Sequence, residues 1–229
     1  PGKEEFTETL RYFARRIELT GVRLHLNTRV TAQELLTARF DEAVVATGVL
    51  PRSIRVPGAE EAASAGRLLS YIDVLLHGKP VGERVAIIGA GGIGFDVAEF
   101  LVTAAGHSPT LQLPEWLAEW GVTDPSEARG GVVRARPAPA VRRVTLLQRK
   151  AGKLGKGLGK TTGWIHRAAL QMKQVEMVAG VNYERITPQG LFITHGERRA
   201  EGQLIECDTI VVCAGQEPLR ELLEPLRAA

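Results

Sequence analysis

The tightest constraint on this chain is the block Arg84–Ala98, RVAIIGAGGIGFDVA, where an apolar run long enough for one buried strand enters a glycine cluster and leaves in a helical pattern. The glycines fall as G-x-G-x-x-G at Gly89, Gly91 and Gly94. In that order the first lets the chain turn sharply off the strand and the second leaves room for a pyrophosphate against the backbone. The third lets helix and strand pack closely. The helix that follows aims free N–H groups and the positive end of its dipole at such a phosphate. Glycine makes up 25 of 229 residues, so the spacing alone is weak evidence. The strand before it and the helix after it are what separate a dinucleotide loop from a plain glycine-rich turn.

Composition narrows the class. With 44% hydrophobic and 24% charged residues, the chain reads as globular and is long enough for one large or two modest domains. No apolar run approaches the roughly 18 residues of a membrane span, and no secretory signal pattern opens the sequence. A net charge of +3 is too mild to imply nucleic acid. The expectation is a cytoplasmic protein with neither membrane nor nucleic-acid partners. Cys207 and Cys213 form no C-x-x-C and have no clustered His, so they read as buried free thiols in a reducing compartment, with no metal site. The start, Pro1–Glu5, lacks Met and reads as an internal cut, a piece of something longer.

In chain order, Glu4–Leu19 carries Phe6, Leu10, Phe13 and Ile17 on one helical face. Val22–Leu26 alternates like a strand. Thr31 and Glu34 have the spacing of a capping box ahead of a short helix to Leu36. Phe40–Gly48 predicts a buried strand ending in A-T-G, where small residues could let a flat ligand lie against the backbone or could simply make a turn. Pro51, Pro57 and Gly58 mark an aperiodic interdomain crossing, and Ser70 can cap a helix to Leu76.

After the glycine loop, a helix to about Thr103 is followed by a long insertion, residues 104–140, with prolines at 109, 114, 125, 137 and 139. Within it Pro114–Trp120 suits a short helix whose Trp116 and Trp120 cover a core edge or serve as a binding lid. The second strand, Arg143–Gln148, ends at Gln148-Arg149-Lys150, with Lys153, Lys156 and Lys160 following and no acid among them. A carboxylate at this tip would accept from a ribose 2′-OH and repel a 2′-phosphate, whereas a guanidinium can hold that phosphate bidentately. The tip therefore favours NADP(H) over NAD, against a merely solvated basic loop. Gly159-Lys160-Thr161 imitates the end of a P-loop, but Leu154 stands where its first glycine should be, which rejects triphosphate hydrolysis.

Thr161–Gln174 is helical in pattern. Val175–Val178, Val181–Ile186, Leu191–Thr194 and Leu204–Glu206 then predict a small antiparallel meander between two parallel strands. A last strong strand, Thr209–Gly215, ends in Ala214-Gly215, and Glu221–Leu226 predicts a final helix. The fold class is α/β, a Rossmann-like parallel sheet with a small antiparallel meander. No residue stands out as a catalytic acid or base.

The order of A-T-G strand, crossing, glycine unit, basic tip, meander and A-G strand resembles the nicotinamide-binding region of two-dinucleotide-fold flavoproteins. The blocks VAIIGAGGIGFD, LQRK, GLGKTTGWIHR and VVCAGQEP resemble NADPH-dependent 2,4-dienoyl-CoA reductases of the bacterial multidomain type. That resemblance implies residues 1–50 as part of an FAD domain and 51–229 as an NADPH domain. It implies FMN and a 4Fe–4S centre in a further N-terminal part that this chain lacks, and the remainder of the enzyme chain as its partner. It sets Gly89, Ala90, Gly91, Gly92, Ile93 and Gly94 on the pyrophosphate and Arg149 and Lys150 on the 2′-phosphate, beside Gln148 and Lys160. Asp96, and Ala214 with Gly215 at the last strand's tip, are the further dinucleotide contacts, Asp96 near the nicotinamide. Thr47 and Gly48 would border FAD. The expected function is to pass hydride from NADPH to FAD. The alternative is a non-catalytic dinucleotide-binding or assembly module.

Overall fold

The computed structural model describes residues 2–199 and 201–228. They divide into two compact units, one of Gly2–Leu50 with the chain from Gln216 onward, the other of Pro51–Gly215.

In the first unit a single 3-10 turn, Glu4–Phe6, leads into α1 (Thr7–Leu19). The apolar stripe of this helix is uncovered: Phe6, Leu10 and Phe13 are exposed and only Ile17 is half-buried. α2 (Ala32–Ala38) starts at the expected capping box, where the Thr31 hydroxyl accepts from the Glu34 N–H and the Glu34 carboxylate accepts from the Thr31 N–H at 2.7 Å. The strands expected over Val22–Leu26 and Phe40–Gly48 do not form. Alternation and apolarity supply only a face, whereas a strand also needs a neighbour to complete its ladder, and no described segment lies beside either run as one. Val44, in the middle of the second run, is 91% exposed. β1 (Val49–Pro51) is formed instead.

The second unit opens with α3 (Ala59–Ser64) and β2 (Leu68–Ser70). Both fall in the stretch read as an aperiodic crossing, and at six and three residues they are too short to show a period. Ser70 caps α4 (Tyr71–Leu75) through a second capping box with Asp73. β3 (Arg84–Ile88) feeds the glycine loop and α5 (Gly92–Val102). The insertion contributes α6 (Leu113–Trp120), and then come β4 (Arg143–Gln148), α7 (Gly163–Met172) and β5 (Glu176–Ala179). β6 (Val181–Thr187), β7 (Gly190–His195) and β8 (Gly202–Glu206) form the antiparallel meander. β9 (Thr209–Val212) returns to the main sheet. β10 (Gln216–Pro218) pairs with β1, and α8 (Leu223–Ala228) closes the described chain.

The main sheet runs β2-β9-β3-β4-β5, every neighbouring pair parallel. Both of its faces are covered, which is why its strands read as continuous apolar runs. Val85, Ile87, Val144, Leu146 and Val211 face Phe95, Leu101 and Leu170 of the helices. Ala86, Ile88, Leu147 and Ile210 face Val181, Leu191, Ile193 and Ile205 of the meander. Each fully buried Ile or Leu contributes about 1.5–3 kcal/mol through the water it sheds. Arg67 fastens the two layers: its guanidinium donates to the carbonyls of Thr187, Cys207 and Asp208 at 3.0–3.3 Å. From β3 the chain moves outward through β4 and β5 and comes back on the other side through β9. The switch point of the sheet, where open α/β folds bind ligands, thus lies at the carboxyl ends of β3 and β9.

Candidate functional site

Three strand tips meet at that switch point. The Gly89 N–H donates to the Leu147 carbonyl of β4 at 2.9 Å, and the Cys213 N–H, just past β9, donates to the Ile88 carbonyl at 2.8 Å. Gly89 turns with φ +111, and a Cβ there would strike the Cys213 carbonyl. A Cβ at Gly94 would strike the Gly89 carbonyl, so both glycines are required by close approach rather than by looseness. Gly91 and Gly92 differ: both are exposed, and a Cβ at either would meet nothing within 4 Å. Gly91 is the N-cap of α5 and offers no side chain to its first turn. The orphan N–H groups and positive dipole end of an eleven-residue helix therefore face open space. A cradle closed behind by glycine packing and open in front by glycine absence fits a dinucleotide pyrophosphate.

Ala90 and Ile93 are half-buried within this loop, and Asp96 is half-buried on the next turn. Ala214 and Gly215 follow β9 beside the Gly89 turn. At the β4 tip, Gln148 shapes the chain: its Nε2 donates to the carbonyls of Lys150 and Gly152 at 2.9 and 3.1 Å. Arg149, Lys150 and Lys160 are exposed. Thr47 and Gly48 lie in the other unit, where the Thr47 hydroxyl donates to the Leu219 carbonyl at 2.7 Å and the Gly48 carbonyl accepts from the Leu219 N–H. They sit at a cavity of about 830 Å³ that Asn27, Arg29 and Glu221 also line.

Tyr183 was not legible from the sequence. It reaches from the meander to the sheet and donates to the same Leu147 carbonyl that receives the Gly89 N–H, at 3.3 Å. Burial pushes its phenol pKa well up, and the nearby Arg149 charge opposes that rise. No local pattern signals a contact between residues 36 positions apart. Burial also raises both thiols, Cys213 to about 12, so neither is a ready nucleophile.

The insertion does not lid this site. It leaves the sheet after α5 and rejoins at the start of β4, both at the end opposite the glycine loop. There Lys173, just past α7, pairs with Glu119 at 2.8 Å and donates to the Ala138 carbonyl at 2.9 Å. Trp116 and Trp120 pack together with ring centroids 6.4 Å apart. A second cavity, about 970 Å³ between Arg84, Pro139, Arg143 and Lys173, lies at this same end, away from the strand tips.

Residues 4–229 match the family model described as pyridine nucleotide-disulphide oxidoreductase. A metal reductase of Desulforamulus reducens is 22% identical over 231 residues, covering 99% of this chain and 32% of that protein. A cinnamate reductase of Clostridium sporogenes is 37% identical over 81 residues, 35% of this chain and 11% of that protein. A solved 2-naphthoyl-CoA reductase in complex with 2-naphthoyl-CoA shares the fold, with a TM-score of 0.68 at 21% identity over 97% of this chain and 27% of that one. The chain thus spans about a third or less of the length of these proteins. No helix among the described residues is long and apolar enough to cross a membrane.

Proposed function

The chain belongs to the pyridine nucleotide-disulphide oxidoreductase family, and from that premise we propose that it is the NADPH-binding module of a flavoprotein oxidoreductase. One observation carries the reading: the Leu147 carbonyl ties the glycine turn to the β4 tip, so an open phosphate cradle and an acid-free cationic tip stand side by side. In this reading Gly89–Gly94 hold the pyrophosphate through backbone N–H groups, while Arg149 and Lys150, with Lys160, hold the 2′-phosphate. Gln148 fixes the turn that presents them. Asp96, Ala214 and Gly215 border the nicotinamide end. NADPH, when bound, supplies the hydride that a flavin accepts. The residues of this chain bind and orient; none is assigned as an acid or base.

We assign residues 51–229 to the NADPH domain, interrupted by the insertion, and residues 1–50 to part of an FAD domain, with Thr47 and Gly48 against the flavin nucleotide. The exposed Phe6, Leu10, Phe13 and Val44 support a covering surface supplied by the remainder of the enzyme chain. The complete enzyme, on this reading, is cytoplasmic, carries FMN and a 4Fe–4S centre elsewhere, and reduces 2,4-dienoyl-CoA. Relatives named for the reduction of 2-naphthoyl-CoA and of cinnamate support an unsaturated acyl substrate.

Isothermal titration with NADPH and NADH tests the binding assignment. Saturable NADPH binding, tighter than NADH, is expected. Equal and negligible affinity for both overturns it.

A further inference from the structure

The loop between β4 and α7 holds more positive charge than one phosphate contact needs. Arg149, Lys150, Lys153, Lys156 and Lys160 are all exposed, there is no acid among residues 149–162, and none of the five side chains forms an ion pair among the described residues. Exposed lysines on a free tether would spread apart and cost little. This loop is not free. Leu154 is buried and Leu158 half-buried in the helix-side core. Gly155 lies under the Phe95 ring, so close that an added Cβ would come within 2.8 Å of its Cζ. The Arg167 guanidinium donates to the Gly155 carbonyl at 3.2 Å, and Gln148 holds the carbonyls of Lys150 and Gly152.

Phe95 directly follows Gly94, in the first turn of the helix that faces the cradle. The middle of the lysine loop is thereby seated on the very turn that offers its N–H groups to a pyrophosphate. Like charges held at fixed positions repel, and a multiply charged anion placed among them recovers that energy.

Resting on the dinucleotide reading above, we propose that Lys153 and Lys156 are specificity-determining cations for a ribose phosphomonoester, and that Leu158, packed against the Phe95 turn, positions them. Arg149 and Lys150 approach the phosphate from the β4 tip, and the seated loop closes on it from the α7 side. Discrimination between phosphorylated and unphosphorylated dinucleotide is then a property of the anchored loop as well as of the strand tip.

The test is titration of the full chain with NADPH, NADH, 2′,5′-ADP and 5′-AMP. The last two carry only the adenosine end with and without the 2′-phosphate. K153Q/K156Q is expected to weaken NADPH and 2′,5′-ADP by about tenfold and to leave NADH and 5′-AMP within about twofold. L158A, which keeps every charge but loosens the seat, is expected to erode the same preference, with near-UV circular dichroism verifying that it folds. If the wild-type chain prefers NADPH and K153Q/K156Q keeps that preference, the lysine assignment is overturned while the dinucleotide reading stands. If the wild-type chain binds none of the four, both are overturned.

Discussion

Gly94 stands against the carbonyl of Gly89, with no room between them for a methyl group. The pair joins the end of β3 to the first turn of α5, so the cradle's shape is a packing constraint and not only a flexible loop. Gly94→Ala is expected to force helix and strand apart, at about 1–3 kcal/mol. Urea unfolding should show the loss in stability, and titration a loss of dinucleotide binding. Gly92→Ala, where an added Cβ meets open space, should cost much less stability.

Arg149 is exposed at the β4 tip, beside the turn that Gln148 holds. Arg149→Glu should weaken NADPH on the order of tenfold while largely sparing NADH, because a carboxylate repels the 2′-phosphate and tolerates a 2′-OH. Titration with both nucleotides reads this directly. Equal weakening of the two would remove Arg149 from the specificity site.

Asp73 caps α4 and pairs with Lys79 at 2.6 Å. The Lys79 hydrogen bond, helped by those from Ser70, holds its carboxyl down at about 2. A carboxyl whose folded pKa lies below its unfolded value of about 3.9 stabilises the fold above that value, and the benefit fades as pH falls toward 2. Melting temperatures measured from pH 5 to pH 2 should therefore converge between the wild type and Asp73→Asn, with the wild type higher at pH 5.

Lys173 and Glu119 are nearly buried, at 10% and 13% side-chain exposure, and tie the insertion to the end of α7. Glu119→Gln leaves an ammonium with only the Ala138 carbonyl for company and should cost roughly 3 kcal/mol. E119Q/K173M should recover much of that loss in chemical denaturation, since an apolar pair removes the unpaired charge. NADPH affinity should be little changed in either variant, because the latch lies at the opposite end of the sheet from the glycine loop.

The elements legible in the sequence are those with short-range causes. Both capping boxes, Thr31–Glu34 and Ser70–Asp73, bond residues three apart, and the acid in each falls where its side chain can reach back. Val85–Ile88 reads as buried because every residue in it packs against one of two covered faces. Val22–Leu26 and Phe40–Gly48 carry equally good strand patterns and are not strands, since a pattern cannot supply the neighbouring chain that a ladder requires. Leu68–Ser70 shows the converse: three residues with no readable period become a strand because β9 lies beside them.

The sequence by itself determined the glycine turn, the helix that follows it, the acid-free run of cations and the order of strands, because each depends on residue type and local spacing. Tertiary structure decided what those parts can do together. It set Leu147 to receive both Gly89 and Tyr183, seated the lysine loop on Phe95, and sent the insertion to the far end of the sheet. Those relationships join residues far apart in the chain, and they exist only once burial of the sheet's two faces has fixed which strand tips meet.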